Sequence, residues 1–134
     1  MKLDAADRVA VLELFARYAN AIDSGDAEAC AACFTEAGVL RVGEGKPVVG
    51  RESLRRFAAK WRASFQGVPR HVSWHVLLRQ EDSDHVTSTA SAALLATTAA
   101  GTSIVYCGGY RDRFERAVGG EWLIAERFVA TDAV

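Results

Sequence analysis

Tyr18, Asp23, His71 and Arg127 bring together, from distant parts of the chain, side chains suited to moving a proton and holding an anion. An imidazole serves as base, a carboxylate fixes its tautomer, a phenol donates a hydrogen bond and a guanidinium supplies a fixed cation. Such a set works without a metal. Each residue stands where a bland one would serve the fold. Tyr18 and Asp23 close an otherwise apolar helix, Phe15-Ala-Arg-Tyr18-Ala-Asn-Ala-Ile-Asp23, and His71 opens a strand directly after Pro69-Arg70. Arg127 interrupts the apolar segment Trp122-Leu-Ile-Ala-Glu-Arg127-Phe-Val.

Structural alternatives stand beside these readings. Asp23 could cap the turn at Ser24-Gly25, and His71 could be a hydrogen-bonded structural histidine. Tyr18 could be a half-buried core tyrosine. Arg127 could pair with an acid across a sheet, Asp112 among them. By strand alternation Arg127 shares a side with Leu123 and Ala125 and points away from Trp122.

His71 and His75 have a spacing that binds metal on a helix, but Val72, Val76, Leu77 and Leu78 favour a strand. Four strand residues separate the two by about 13 Å, too far for one zinc. Alternation puts both on one face. His75 therefore reads as a second polar wall group of the pocket or as a packing residue, and the bulky Trp74, Phe15 and Tyr110 as further binding residues. His85 reads as exposed and is given no function. Cys30-Ala-Ala-Cys33 lies in an Ala-rich helix with no second such pair to complete a metal site, so two buried apolar cysteines are expected. No metal and no cofactor are expected. Gly43-x-Gly45 lies in a hairpin with no helix behind it, which is not a nucleotide fingerprint.

The 134 residues make one domain, 1–134, and half of them are hydrophobic. Sixteen basic against seventeen acidic side chains leave a net charge of -1 with no basic run. That argues against nucleic acid or an anionic membrane as partner. The apolar stretches are too short to span a bilayer, and Met-Lys-Leu-Asp lacks a signal-peptide core, so a cytoplasmic protein is expected.

Periodicity predicts the elements. Asp4 with Asp7 starts a helix over about 5–22, with Val9, Leu12, Phe15, Ala19 and Ile22 as its apolar stripe. A short helix follows at 26–34. A strand at 38–42 turns through Gly43–Pro47 into a short return at 48–49. A third helix runs over about 51–65, with Leu54, Phe57, Ala58, Trp61 and Phe65 on one face. Four long strands then occupy about 70–79, 85–98, 102–115 and 121–130, joined too tightly for crossover helices and so paired as hairpins. The class is α+β, with helices on one face of a sheet.

That order resembles the nuclear transport factor 2-like cone, a strongly curved, mostly antiparallel sheet closing over three helices around a central cavity. Several phrases resemble its SnoaL-like branch: Arg17-Tyr18-Ala-Asn-Ala-Ile-Asp23-Ser-Gly-Asp26, Cys33-Phe34-Thr35-Glu36, Gly50-Arg51-Glu52, Arg70-His71, Gly109-Tyr110-Arg-Asp112 and Trp122-x-Ile124-x-x-Arg127. The resemblance covers nearly the whole chain. It implies a metal-free lyase similar to scytalone dehydratase, bile-acid dehydratase or hexachlorocyclohexane dehydrochlorinase, with Asp23 and His71 as the acid–base dyad and Arg127 and Tyr18 beside them. A polyketide-type cyclase or a non-catalytic ligand binder are the alternatives. The branch often carries Asn four residues after the strand histidine, where this chain has His75. The expected partner is a small apolar or cyclic substrate. Members commonly pair sheet to sheet, and neither face of the long strands reads as strongly charged. A homo-oligomer is therefore expected, a dimer or a trimer.

Overall fold

The computed structural model describes residues 3–134; Met1 and Lys2, part of the N-terminal stretch read above, lie outside the described residues. Helix α1 spans Ala5–Ser24, α2 Ala27–Ala32 and α3 Arg51–Ser64. The strands are β1 Phe34–Val42, β2 Val48–Val49, β3 Val68–Asp82, β4 His85–Thr98, β5 Gly101–Arg116 and β6 Trp122–Thr131. They form one sheet in the order β2-β1-β6-β5-β4-β3, antiparallel except where β1 runs parallel to β6. The sheet bends around the helices without closing. β2 and β3 are its two edges, and the curved, mostly antiparallel sheet packed on three helices is the architecture expected from the sequence.

Local rules explain the elements. The Asp4 carboxylate accepts from the Asp7 N–H at 2.8 Å, and Gly25 ends α1 in the left-handed conformation at φ 81°. The buried stripe of α1 is Val11, Leu14, Phe15, Tyr18, Ala21 and Ile22; the predicted Val9 and Leu12 are exposed. The helix thus lies rotated from the sequence reading, so that Tyr18 and Phe15 meet the sheet. Both ends of α1 are tied down. Asp7 receives two N–H groups of Arg116, at 3.1 and 2.8 Å, and the Trp122 indole N–H at 3.0 Å. Asp23 is fixed at the other end by β3.

Two bulges decide which side chains enter the core. On β6, Arg113 pairs with Glu126 but Phe114 with Ile124, leaving Ala125 as an extra residue. The alternation resets there. Arg127 and Val129 consequently point inward with Trp122 and Ile124, while Leu123 and Phe128 face out with Glu126. The expectation that Arg127 points away from Trp122 is therefore corrected.

On β3, Trp74 pairs with Ser91 and Leu77 with Thr89, so His75 and Val76 together oppose Ala90. His75 takes a positive φ of 54° there. His71, Ser73, Val76 and Leu78 face the helices, whereas Trp74 and His75 are exposed. The two histidines do not share a face.

Candidate active site

The inner face of the sheet carries a continuous polar and aromatic row in an apolar core. Register places His71 beside Leu94 and Leu94 beside Tyr106, with Tyr110, Asp112 and Phe114 following on alternate positions of β5. Arg127 lies opposite Asp112. Across from this row α1 contributes Phe15, Tyr18 and Asp23.

Asp23 and His71 meet through both carboxylate oxygens. The His71 backbone N–H donates to Oδ2 at 2.8 Å, and ring Nδ1 lies 2.5 Å from Oδ1. The His71 and Asp23 side chains are 8% and 16% exposed, so the pair is nearly withdrawn from water but still reachable. A carboxylate at Nδ1 holds the ring proton there and leaves the Nε2 lone pair free as a base. The ring is clamped by Trp61, with centroids 5.2 Å apart, and by the edge of Tyr18 at 6.2 Å. A further clamp was not visible in the sequence: Arg62 of α3 donates its Nε–H to the Asp23 carbonyl at 3.0 Å. It fixes the last turn of α1, where backbone carbonyls lack helical partners. No periodicity singles out Arg62.

Arg127 is fully buried and makes a bidentate pair with Asp112, Nε to Oδ1 and Nη2 to Oδ2, both at 2.9 Å. Its guanidinium lies over the rings of Tyr110, Tyr18 and Phe15 at 4.1, 4.6 and 4.9 Å. Burial opposes the charge, but the Asp112 carboxylate outweighs it and holds Arg127 protonated. The remaining nitrogen, Nη1, is buried without a hydrogen-bond partner. The Asp112 pairing named above as an alternative is thus present, and it leaves one donor uncommitted.

The phenols are held neutral. Burial pushes Tyr18 well above the ordinary tyrosine range and raises Tyr110, with Arg127 pulling both back. Tyr106 is also raised by burial, and its hydroxyl interacts with that of Tyr110. Tyr106 was missed in the sequence, although the alternation Tyr106, Tyr110, Phe114 would have placed it on the inner face. Burial, with Cys33 adding to it, pushes the Cys30 thiol up to about 12, and Cys33 donates to the Ala29 carbonyl at 3.3 Å. These two are packed thiols; Cys107 is exposed.

A cleft of about 430 Å³ opens between α1 and β3, lined by Phe15, Asn20, Asp23, His71, Ser73 and Val76 among others. Phe15, Asp23 and His71 thus reach one cavity, with Tyr18, Tyr110 and Arg127 packed directly behind. Trp74 and His75 do not line it; the bulge turns them to the opposite side. Among the described residues no group of three or more His, Cys, Asp or Glu is placed to hold a metal, and no helix is long and apolar enough to cross a membrane.

Residues 4–128 match the SnoaL-like domain. The chain belongs to the SnoaL-like family. A protein of unknown function from Mycobacterium tuberculosis, Rv3472, is 31% identical over 96% of this chain and 73% of its own, with a TM-score of 0.89. A Catenulispora acidiphila protein in complex with S-DNPA is 27% identical over 96% of both chains, with a TM-score of 0.87. A Nostoc punctiforme protein of unknown function with a cystatin-like fold is 24% identical, covers 98% of this chain and 96% of its own, and has a TM-score of 0.85. Comparison with curated protein sequences returns no significant match. The SnoaL-like family includes cyclases and dehydratases.

Proposed function

We propose that this SnoaL-like protein is a cofactor-independent lyase or isomerase that abstracts a proton from a small, largely apolar, cyclic substrate. The observation that carries the reading is the double hold of Asp23 on His71, through the backbone N–H at 2.8 Å and Nδ1 at 2.5 Å. It orients Nε2 as a base and stabilises the imidazolium formed on proton transfer. Tyr18, kept protonated by burial, is a donor for the developing oxyanion. Arg127 lies behind Tyr18 and Tyr110 and stabilises that charge through them and through its free Nη1. Positioned proton transfer supplies about 10²–10⁴-fold, and preorganised donors a comparable factor. Those terms suit a proton already acidified by a neighbouring carbonyl. Elimination of water, isomerisation and ring closure all begin with that step.

A screen of cyclic hydroxy-ketones tests the reading, with solvent deuterium exchange at the carbon next to the carbonyl and loss of water as separate readouts. Exchange that vanishes in His71→Ala supports it, and subsequent water loss identifies a dehydratase. A compound that binds in the cleft but exchanges no faster than in buffer would instead mark a ligand binder.

A further inference from the structure

The outer face of the sheet has a second concave site that the dyad does not use. Two neighbouring rows cross the strands there. One runs Arg79–Thr87–Arg113–Glu126, the other Leu77–Thr89–Arg111–Phe128–Arg41. The threonines of β4 are short and the flanking side chains long, so the rows enclose a trough, of about 600 Å³. That volume suits a drug-sized organic molecule.

The charges are unbalanced, contrary to the mild face expected from the sequence. Four arginines line the trough. Arg41 pairs with Glu126 at 3.4 Å, and Arg79 lies 3.7 Å from Glu81. Arg111 and Arg113 have no carboxylate partner among the described residues; Arg111 instead lies over the Phe128 ring at 5.0 Å. Asp112, between them in sequence, points inward to Arg127 and neutralises nothing outside. Arg79 and Arg113 stand two strands apart, about 10 Å at the backbone, on either side of Thr87. The Thr87 hydroxyl between them already donates to Glu81 at 3.1 Å, so the guanidinium groups open to an oxyanion are those of Arg111 and Arg113, two residues apart on β5, each offering a planar fork. Leu77, 72% exposed, and Phe128 supply an apolar floor at the other end.

We propose that this trough binds a small amphipathic organic anion, its carboxylate held by Arg111 and Arg113 and its aromatic or aliphatic body lying on Leu77 and Phe128. A second copy of the chain is the poorer occupant. Symmetric pairing through these rows would bring the same arginines together and desolvate them with fewer carboxylates than guanidinium groups to meet them.

Phenylbutyrate, neutral phenylbutanol and cationic phenylbutylamine, titrated calorimetrically into the full chain, separate charge from bulk. Phenylbutyrate is expected to bind at least about tenfold more tightly than the alcohol, with the amine weakest. R111Q/R113Q should lose about tenfold for phenylbutyrate, whereas His71→Gln, which alters only the inner cleft, should retain the affinity. In the wild-type chain the Arg111 and Arg113 Nε–H resonances should shift with phenylbutyrate, a readout that does not depend on the double variant folding. Equal binding of alcohol and carboxylate, unchanged affinity in R111Q/R113Q, or no binding of phenylbutyrate at millimolar concentration would overturn the proposal. So would a wild-type dimer that R111Q/R113Q dissociates, since that result assigns the face to self-association.

Discussion

Asp112 and Arg127 form a bidentate pair in which neither side chain reaches solvent. They oppose each other only because Ala125 bulges out of β6. Removing one partner from a buried pair leaves a charge uncompensated, at a cost of about 3–5 kcal/mol. Asp112→Asn should lower the unfolding free energy by that amount in urea titrations. The apolar double replacement Asp112→Leu/Arg127→Met should recover most of it. If the double variant regains stability but shows no deuterium exchange on a substrate of the wild type, Arg127 serves the chemistry as well as the fold.

Asp23→Asn keeps the shape of the dyad while removing the carboxylate. The proton on Nδ1 loses its ionised acceptor, and the tautomer with a free Nε2 is no longer enforced. Turnover should fall by about 10²–10⁴-fold with little change in substrate affinity. Equal losses in kcat for Asp23→Asn and Arg62→Ala would show that Arg62 positions the helix end on which the dyad depends. An unaltered kcat in Arg62→Ala would remove that role.

Alkaline pH should destabilise the fold through its buried thiol and phenols. Cys30 and Tyr18 are harder to ionise in the folded chain than in the unfolded one, chiefly through burial. Below pH 9 both states of the chain keep the Cys30 thiol protonated, and its contribution is complete. Above pH 9 the unfolded chain releases that proton first, and stability falls until the folded thiol follows near pH 12. Urea midpoints should therefore be flat below pH 9 and decline above it, less steeply in Cys30→Ala. In the native protein at pH 8 a thiol reagent should titrate Cys107 alone.

Self-association is expected through the other half of the outer face. Val72, Trp74, Ile104 and Val105 are 36%, 37%, 67% and 53% exposed and carry no charge. We propose a homodimer that covers them and buries more than about 1,000 Å² in total. Sedimentation at micromolar concentration should give twice the chain mass, and Val105→Asp should return it to the monomer. A wild-type monomer at that concentration would leave the patch without a partner.

Most strand and helix boundaries were legible because turn residues and periodicity mark them, as where Gly101 and Gly120 sit in hairpin turns with positive φ; the start of β1 at Phe34 was not, since the second helix was expected to run to 34 and the strand to open at 38. The Asp23–His71 pair was legible because polar residues interrupt apolar elements at both places. The bulges were not. Ala125 has no glycine or proline beside it to mark a bulge, and one extra residue reverses the facing of everything after it. The rotated stripe of α1 was missed for a related reason. Val9 and Leu12 are as apolar as Val11 and Leu14, and only the position of the sheet decides which pair is covered. The arginine trough was not legible because its members come from five strands.

The positive φ of His75 gives a different meaning to a substitution that looks chemical. The resembled branch often has asparagine where this chain has histidine, which read as an altered pocket wall. Both residue types belong to the few non-glycine side chains that tolerate a left-handed backbone. The exposed bulge needs that tolerance and makes no demand on the imidazole. In this chain the residue serves a backbone shape, the kink that aims Val76 and Leu78 at the helices. Substrate preference would have to be sought elsewhere, in the residues that α1 and β3 turn toward each other.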